Sequence, residues 1–395
     1  MFPFPIIPPF ITSSKETIKS MALATNNTML LSSKGNLYVT GQNRIGELGV
    51  GDTADRYNQW VLVMQNVNHI AANRETLYAV RTDGQVLSPK TTTGTGQYSW
   101  QPVTTWSAAG DLSGDNVTKI ISDTENIFVL KKDKSLYYAG ANSAGQANMG
   151  STGVVGIMRA HTTDVQAISV SGNTVVLLKS DGFLYGCGQD TRNVISTGSS
   201  PKTTLVQMFG ANGIDGGTVS DFAVTNGGQA LLVRFSNGKY RTRGLNIGQL
   251  PTGTAAPGNT LTDVPDGFTP GNGTEPMFQN LSAPRAGGTY PNYGAVLFYY
   301  TGGKFYACGS ATGQITGVNQ STGTVAPWTQ MDSSSAQISA PKAMCFAEGW
   351  AIAYNDTQIM YWGAPPVSGV KPIVGYVSDG RPLYQARLAT SALAQ

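Results

Sequence analysis

Short runs of apolar residues occur in pairs along the chain, and a polar turn joins the two runs of each pair. Segments such as NNTMLLSSKGNLYVTG, GNTVVLLKSDGFLYGCG and YGAVLFYYTGGKFYACG share this form, which recurs seven times. Runs rich in Leu, Val, Ile, Phe and Tyr on either side of a glycine-containing turn are typical of β-hairpins. The pattern therefore predicts seven hairpins.

The turns between the paired runs contain dipeptides that favour a tight reversal of the chain. Four examples are Lys34-Gly35, Asp83-Gly84, Asp181-Gly182 and Asn237-Gly238. A type I′ turn needs positive φ at both central residues, and Asp, Asn and Gly reach positive φ at little steric cost. We therefore expect two-residue turns of type I′.

The hairpins recur with a period near fifty residues. Most end on a glycine (Gly41, Gly140, Gly188, Gly244, Gly309 or Gly363), and Lys90 stands at this place in the second copy; successive positions are 48 to 65 residues apart. A third apolar run precedes most hairpins, as in IKSMALAT, and a variable stretch such as QWVLVM would supply a fourth strand. Four short strands per copy at this period predict an all-β fold, a seven-bladed β-propeller.

The loop after the first hairpin carries a further motif. Residues 41–52, GQNRIGELGVGD, follow the pattern Asn-x-x-Gly-(Glu/Gln)-Leu-Gly-x-Gly-Asp, which resembles the regulator-of-chromosome-condensation repeat family of seven-bladed propellers. Later copies keep parts of the pattern at Asn142, Gly145, Gln146, Asn246, Gly248, Gln249, Gly313 and Gln314. The resemblance covers residues 18–365 and implies the fold. It implies no single activity, because the family includes nucleotide exchange, photoreception and enzyme inhibition.

The four glycines of residues 41–52 raise the alternative of a phosphate-binding loop. A Walker-type loop needs Gly-Lys-Ser/Thr leading into a helix, and a dinucleotide fingerprint needs a parallel strand before it and a helix after it. Neither context is present, and the glycines recur at the same phase in other copies. We expect them to allow tight backbone conformations, and we predict no cofactor.

Composition and charge weigh against metal and nucleic-acid sites. Charged residues make up 12% of the chain and the net charge is +3, with no basic run, so no nucleic-acid partner is expected. Cys187, Cys308 and Cys345 are widely separated, which predicts buried apolar cysteines. With only His69 and His161 available, a zinc site is not expected.

The sequence also holds little material for catalysis. Asp52 with Asp55 and Asp263 with Asp266 are candidate acid–base pairs, but carboxylates this close in sequence are common in loops. No Gly-x-Ser-x-Gly elbow is present. Exchange activity on a small GTPase is not expected either, because the chain lacks the charge density of an electrostatically steered surface. We expect no catalytic residues and a protein that is not an enzyme.

Segments outside the repeat are candidate contact elements. Residues 1–17 form an apolar, proline-rich arm without the positive start of a signal peptide, and proline biases it toward extended conformations. Its candidate partner-binding residues are Phe2, Phe4, Ile6, Ile7 and Phe10. The arm could dock on its own propeller, residues 18–365, or insert into a neighbouring subunit. Residues 249–293 enlarge one copy, and residues 366–395 would supply a closing strand and a tail. No run approaches the ~18 apolar residues of a membrane span, so no membrane insertion is expected.

Low charge, a Ser/Thr/Asn/Gly-rich surface, the arm and the degenerate repeats favour a structural or interaction protein of a large assembly. We expect a bacteriophage virion component of the tail or capsid, assembled in the bacterial host cytoplasm. Its partners would be other virion proteins or further copies of the chain. Two alternatives remain open. One is a module that binds a host surface receptor or glycan, and the other is a propeller-type enzyme regulator.

Overall fold

Antiparallel β-strands make up nearly all of the regular structure. A computed structural model of the chain describes residues 16–73, 76–91, 98–123, 126–196, 198, 201–209, 217–225, 230–244, 258–263, 296–301, 304–310, 324–330, 342–347, 350–356, 359–363 and 383–386. These residues also include two short 3-10 helices, Thr104–Ala109 and Gly114–Asn116. The predicted all-β class is confirmed.

Within the described residues the strands form seven antiparallel sheets, and each sheet uses strands that are consecutive in the chain. Sheet 1 contains β1 (Ile18–Leu23), β2 (Asn27–Ser32), β3 (Leu37–Gly41) and β4 (Arg56–Met64). Sheet 2 contains β5 (Val67–Ala72), β6 (Leu77–Arg81), β7 (Val86–Thr91) and β8 (Tyr98–Pro102). Sheet 3 contains β9 (Val117–Asp123), β10 (Asn126–Lys131), β11 (Leu136–Gly140) and β12 (Val155–Thr162). Sheet 4 contains β13 (Val165–Ser171), β14 (Thr174–Lys179), β15 (Leu184–Gly188) and β16 (Lys202–Phe209).

The remaining sheets follow the same order. Sheet 5 contains β17 (Val219–Thr225), β18 (Ala230–Phe235), β19 (Tyr240–Gly244) and β20 (Gly258–Asp263). Sheet 6 contains β21 (Val296–Thr301), β22 (Lys304–Ser310) and β23 (Thr324–Gln330). Sheet 7 contains β24 (Ala343–Ala347), β25 (Trp350–Tyr354), β26 (Ile359–Gly363) and β27 (Leu383–Ala386).

The predicted hairpins are all present. They are the antiparallel pairs β2–β3, β6–β7, β10–β11, β14–β15, β18–β19, β21–β22 and β25–β26. The stretch QWVLVM lies in β4, which pairs with β3 as the predicted fourth strand. A closed ring of seven blades stays a prediction.

The hairpin turns differ from the predicted type I′. In the turn after β6, Gly84 has a φ of 85°, whereas Asp83 is not among the residues with positive φ. Gly84 N donates to Arg81 O at 2.9 Å, and Arg81 N donates to Gln85 O at 2.9 Å, which makes a three-residue loop with a glycine bulge. Asp83 Oδ1 accepts a hydrogen bond from Gln85 N at 2.9 Å. The type I′ prediction is wrong, because the aspartate serves as an acceptor and only the glycine needs positive φ. Equivalent turns contain Gly35, Gly182 and Gly238.

The core lies between successive sheets. In β14, Val175 and Leu177 pack in a cluster with sheet 3, whereas Val176 and Leu178 pack in a cluster with sheet 5. All four side chains are buried. Alternate side chains of a strand point to opposite faces, so a strand buried on both faces has an unbroken apolar run. This explains why the first strand of each hairpin contains an unbroken apolar run.

The innermost strands of the sheets lie side by side. Strands β1, β5, β9, β13 and β17 follow one another in space, and β24 of sheet 7 lies beside β1. Ile18 N donates to Asp356 O at 2.8 Å, and Cys345 Sγ donates to Met21 O at 3.0 Å. Lys342 Nζ lies 2.7 Å from Asp356 Oδ1. The first strand and the last described sheet are therefore in contact.

The terminal segments are described only in part. Of the predicted arm, Glu16 and Thr17 are described, and Glu16 Oε1 accepts a hydrogen bond from Asn36 at 2.9 Å. Of the predicted C-terminal segment, Leu383–Ala386 is described and pairs with β26 as the outermost strand of sheet 7. The predicted domain boundaries stay predictions.

Glycine at the end of the hairpin is required by a close approach of two backbones. Gly188 has a φ of +101°, and a Cβ atom there would lie 1.9 Å from Asn173 O. At Gly41, where φ is +126°, a Cβ atom would lie 2.3 Å from Asn26 O. No side chain fits at either position, so the recurring glycine serves the geometry of the turn beside it.

We expect Gly188→Ala to lower the free energy of unfolding by about 3 kcal/mol or more, because steric overlap with Asn173 adds to the strain of positive φ. The matched control is Gly198→Ala. Gly198 has the same φ of +101°, but a Cβ atom there meets nothing within 4 Å. The control should cost about 1 to 2 kcal/mol. Equal losses in urea unfolding of the two variants would contradict the role assigned to the close approach.

Candidate functional site

The loop after β3, residues 42–55, is held together by the amide of Asn43. Asn43 Oδ1 accepts a hydrogen bond from Leu48 N at 2.9 Å, and Asn43 Nδ2 donates to Asp52 O at 2.8 Å. Asn43 N donates to Asp55 Oδ1 at 2.8 Å. Because Asn43 is fully buried, its polar atoms need partners within the protein. The motif asparagine thus closes the loop with both ends of its side-chain amide.

The hydrogen bond from a backbone N–H to the side-chain oxygen five residues earlier recurs in the loops after β11 and β15. Asn142 Oδ1 accepts from Ala147 N at 2.9 Å, and Asn142 Nδ2 donates to Ser151 O at 3.1 Å. In sheet 4, Asp190 Oδ1 accepts from Ile195 N at 2.8 Å. Burial raises the pKa of Asp190, and its backbone N–H donors oppose the shift. Sequence reasoning missed Asp190, because an aspartate replaces the motif asparagine in this copy.

The loops after β3 and β11 pack on the outer strand of the next sheet. Trp100 Nε1, on β8, donates to Leu48 O at 3.2 Å. A Cβ atom at Gly49 would lie 2.7 Å from Trp100 Cδ1, and one at Gly145 would lie 2.6 Å from Thr203 Cα on β16. These motif glycines allow two sheets to approach. The interpretation of the glycines as structural is confirmed at these positions.

The first candidate acid–base pair belongs to the loop after β3. Asp52 accepts a hydrogen bond from Ala54 N at 2.9 Å and pairs with Arg56, and both contacts lower the pKa of Asp52. Asp55 accepts the bond from Asn43 N. Both carboxylates are thus used as acceptors within the loop.

The structure also brings together a histidine and a cysteine that are 26 residues apart. Cys187 Sγ lies 3.7 Å from His161 Nε2. Both atoms lie near the carbonyl oxygen of Gln146, Cys187 Sγ at 3.6 Å and His161 Nε2 at 3.0 Å. Burial raises the pKa of the Cys187 thiol and lowers the pKa of His161 to about 4, although the Gln146 carbonyl opposes the second shift. A protonated thiol beside a neutral imidazole is the reverse of a nucleophilic thiolate–imidazolium pair.

Metal binding gains no support from this cluster. In the described part of the chain, no group of three or more His, Cys, Asp or Glu side chains could hold a metal ion. Cys187 is fully buried, as predicted from the sequence, whereas Cys345 is partly exposed.

The innermost strands surround a cavity of about 790 Å³. Its wall comes from β1, β5, β9, β13, β17 and β24, which contribute small residues such as Ala22, Ala71 and Ala223. The charged side chains that line the cavity in the described residues are Lys19, Lys119 and Asp221, joined by His69, Asn68 and Gln166. A cavity of this size is within the range of small-molecule sites.

Comparison with solved structures identifies the architecture. The crystal structure of human WBSCR16 has a TM-score of 0.62 and 15% identity with this chain, and the alignment covers 84% of each chain. The chain has the fold of an RCC1-like β-propeller. The resemblance predicted from the loop motif is thus confirmed for the fold.

Two structures of the yeast protein Prp20 also align with this propeller. Yeast RCC1 (Prp20) bound to Kap60 is 14% identical, with 95% of this chain and 82% of that chain covered and a TM-score of 0.47. Prp20p from Saccharomyces cerevisiae, described with its binding to Gsp1p and histones, is 12% identical, with 95% and 84% covered and a TM-score of 0.46. No protein-family model and no curated protein sequence matches the chain.

Large apolar side chains are exposed on two sheets of the propeller. Among the described residues, the exposed large apolar side chains are Ile45, Leu62, Met149, Val154 and Ile157. Val154 is 81% exposed and Ile45 is 61% exposed. Ile45, Met149 and Val154 lie on the loops that follow β3 and β11, whereas Leu62 and Ile157 lie on the outer strands β4 and β12. The described residues contain no helix long and apolar enough to cross a membrane.

Several predicted site residues lie outside the described residues of the propeller. They are the arm residues Phe2, Phe4, Ile6, Ile7 and Phe10. The second carboxylate pair, Asp263 with Asp266, also lies outside the residues whose side chains are described. Their roles stay predictions.

The free energy of unfolding should fall in mild acid because of His161. Its pKa is about 4 in the folded protein and 6.5 in the unfolded chain, so the unfolded state binds more protons between these values. Lowering the pH from 7.5 to 5 should therefore cost about 2 kcal/mol through this residue. His161→Gln keeps a donor for Gln146 O and should show a smaller loss in urea unfolding across this range. Parallel pH profiles for the two proteins would contradict the assignment.

Proposed function

We propose that the sheets form a closed propeller of seven blades. The described strands group into seven sheets, the innermost strands of sheets 1 to 5 pack in succession, and β24 of sheet 7 packs beside β1. A ring closed in this way leaves neither the first sheet nor the last with an uncovered apolar face, which a β-propeller requires.

An experimental density map should show seven blades around one axis, with β24 next to β1. Removal of β27 would weaken sheet 7 but should leave the blade number unchanged. A map with six or eight blades, or with a gap between β1 and β24, would overturn this part of the proposal.

We further propose that the propeller is a non-enzymatic protein-interaction module. The observation that carries this proposal is the exposure of Ile45, Met149 and Val154 on loops that follow equivalent strands of sheets 1 and 3. Each hairpin turn lies at the opposite end of its sheet, as the bonds from Val67 N to Gly35 O and from Val165 N to Lys134 O indicate. The loops with exposed apolar side chains therefore lie together at the other end of the propeller, where a partner protein could cover them.

The assembly that we propose for this module is a bacteriophage virion. The support comes from the sequence: charged residues make up 12% of the chain, and an apolar, proline-rich arm precedes the first strand. An arm with five large apolar residues gains most by binding to another protein surface, because burial removes those residues from water. The protein would then be located in the virion after assembly in the host cytoplasm.

We expect the full chain to sediment with phage particles at a fixed copy number. The double variant Met149→Ser/Val154→Ser should reduce incorporation at least tenfold without a change in thermal unfolding. The matched control Ser151→Ala/Thr152→Ala alters exposed polar residues of the same loop and should incorporate normally. A chain with Ser in place of the five arm residues tests the arm in the same assay.

Normal incorporation of the double variant would contradict the role of the exposed loops. Absence of the wild-type chain from particles would contradict the virion role. If the isolated chain instead adsorbed to host cells, a receptor- or glycan-binding function would replace the assembly function.

A further inference from the structure

The central cavity contains an ammonium group whose charge is not neutralised by a direct contact. Lys119 lies near the start of β9, lines the cavity and is exposed to its solvent. Its Nζ makes no hydrogen bond or ion pair with the described residues, and Asp221 is the carboxylate that acts on it through space. The surrounding protein lowers the pKa of Lys119, and Asp221 opposes the shift. An ammonium group that is partly removed from water without a partner gains from a bound anion.

The other cavity lysine provides a contrast. Lys19 Nζ donates to Asn68 Oδ1 at 2.8 Å and to Asn68 O at 2.9 Å. Asn68 in turn donates through Nδ2 to Gly114 O, which fixes the amide in place. Lys19 is therefore held against the wall of the cavity, whereas Lys119 remains available for a ligand.

The acidic group of the cavity is already engaged. Asp221 Oδ2 lies 4.0 Å from Arg234 Nη2, and Asp221 Oδ1 accepts a hydrogen bond from Phe222 N at 2.9 Å. Asp115, on the 3-10 helix before β9, acts on Lys19 and on His69. Asp115 thus acts on Lys19, whereas the carboxylate that acts on Lys119, Asp221, has its own cationic partner in Arg234.

The neighbouring strand offers a second polar atom. His69 occupies the same position in β5 that Lys119 occupies in β9, and His69 Nε2 is buried without a hydrogen-bond partner in the described part of the chain. Burial and Lys19 lower the pKa of His69 to about 4, so the imidazole is neutral at pH 7. A neutral imidazole can donate one N–H bond to an anion without adding charge.

We propose that the central cavity binds an anionic group, a phosphate or a carboxylate, on the ammonium group of Lys119 with His69 beside it. The cavity volume of about 790 Å³ accommodates either a small phosphate-bearing molecule or an acidic segment of a partner protein. The site does not depend on the proposed assembly, because Lys119 and His69 lie near the starts of their strands and the exposed apolar loops lie at the other end of the propeller.

Titration of the full chain with inorganic phosphate, followed by 31P line broadening and by thermal unfolding, tests the proposal. Phosphate should broaden and should raise the melting temperature more than sodium chloride does at equal ionic strength. Lys119→Gln should weaken binding at least tenfold and still fold, since it removes a charge that has no direct partner. The matched control Lys132→Gln removes an exposed lysine of a hairpin turn and should bind as the wild type does.

A parallel titration with an acetylated tetraglutamate peptide distinguishes the two ligand sources. Binding of phosphate alone assigns a phosphate-bearing ligand, and binding of the peptide with loss in Lys119→Gln assigns an acidic partner segment. Binding of neither probe would overturn the proposal. Undiminished binding by Lys119→Gln would overturn it as well.

Discussion

The packing of one sheet between two neighbours is the constraint on which the rest of this structure depends. Strand β14 shows it most directly, because Val175 and Leu177 pack toward sheet 3 while Val176 and Leu178 pack toward sheet 5. A sheet with two apolar faces cannot be exposed at either face without loss of burial energy. The sheets therefore stabilise one another in succession, and the contact of β24 with β1 brings the last described sheet to the first.

Backbone geometry keeps the sheets close enough for this packing. The loops closed by Asn43 and Asn142 place Gly49 and Gly145 against Trp100 and Thr203 of the next sheet, where any side chain would overlap. Glycine is needed at these positions so that the loop of one sheet can approach the outer strand of the next. The loop motif thus allows one sheet to pack on another, and its polar side chains form hydrogen bonds within the loop itself.

The inner and outer surfaces of the propeller have different chemistry. In the core, the protonated Cys187 and the neutral His161 are enclosed beside Gln146. Small residues line the central cavity, and Lys119 there has no direct partner among the described residues. The exposed apolar residues lie on loops at one end, so that partner contact and cavity binding would use separate parts of the molecule.

The sequence by itself determined the strands, the hairpins and the structural role of the glycines, because these follow from local backbone preferences and from apolar runs that need two buried faces. The turn type could not be predicted, since Asp83 is favoured both at positive φ and as an acceptor for a backbone N–H, and only the coordinates separate these roles. Only the tertiary structure decided which distant residues meet. His161 and Cys187, or Lys119 and Asp221, carry no local signal, because their proximity arises from the stacking of separate sheets around the cavity.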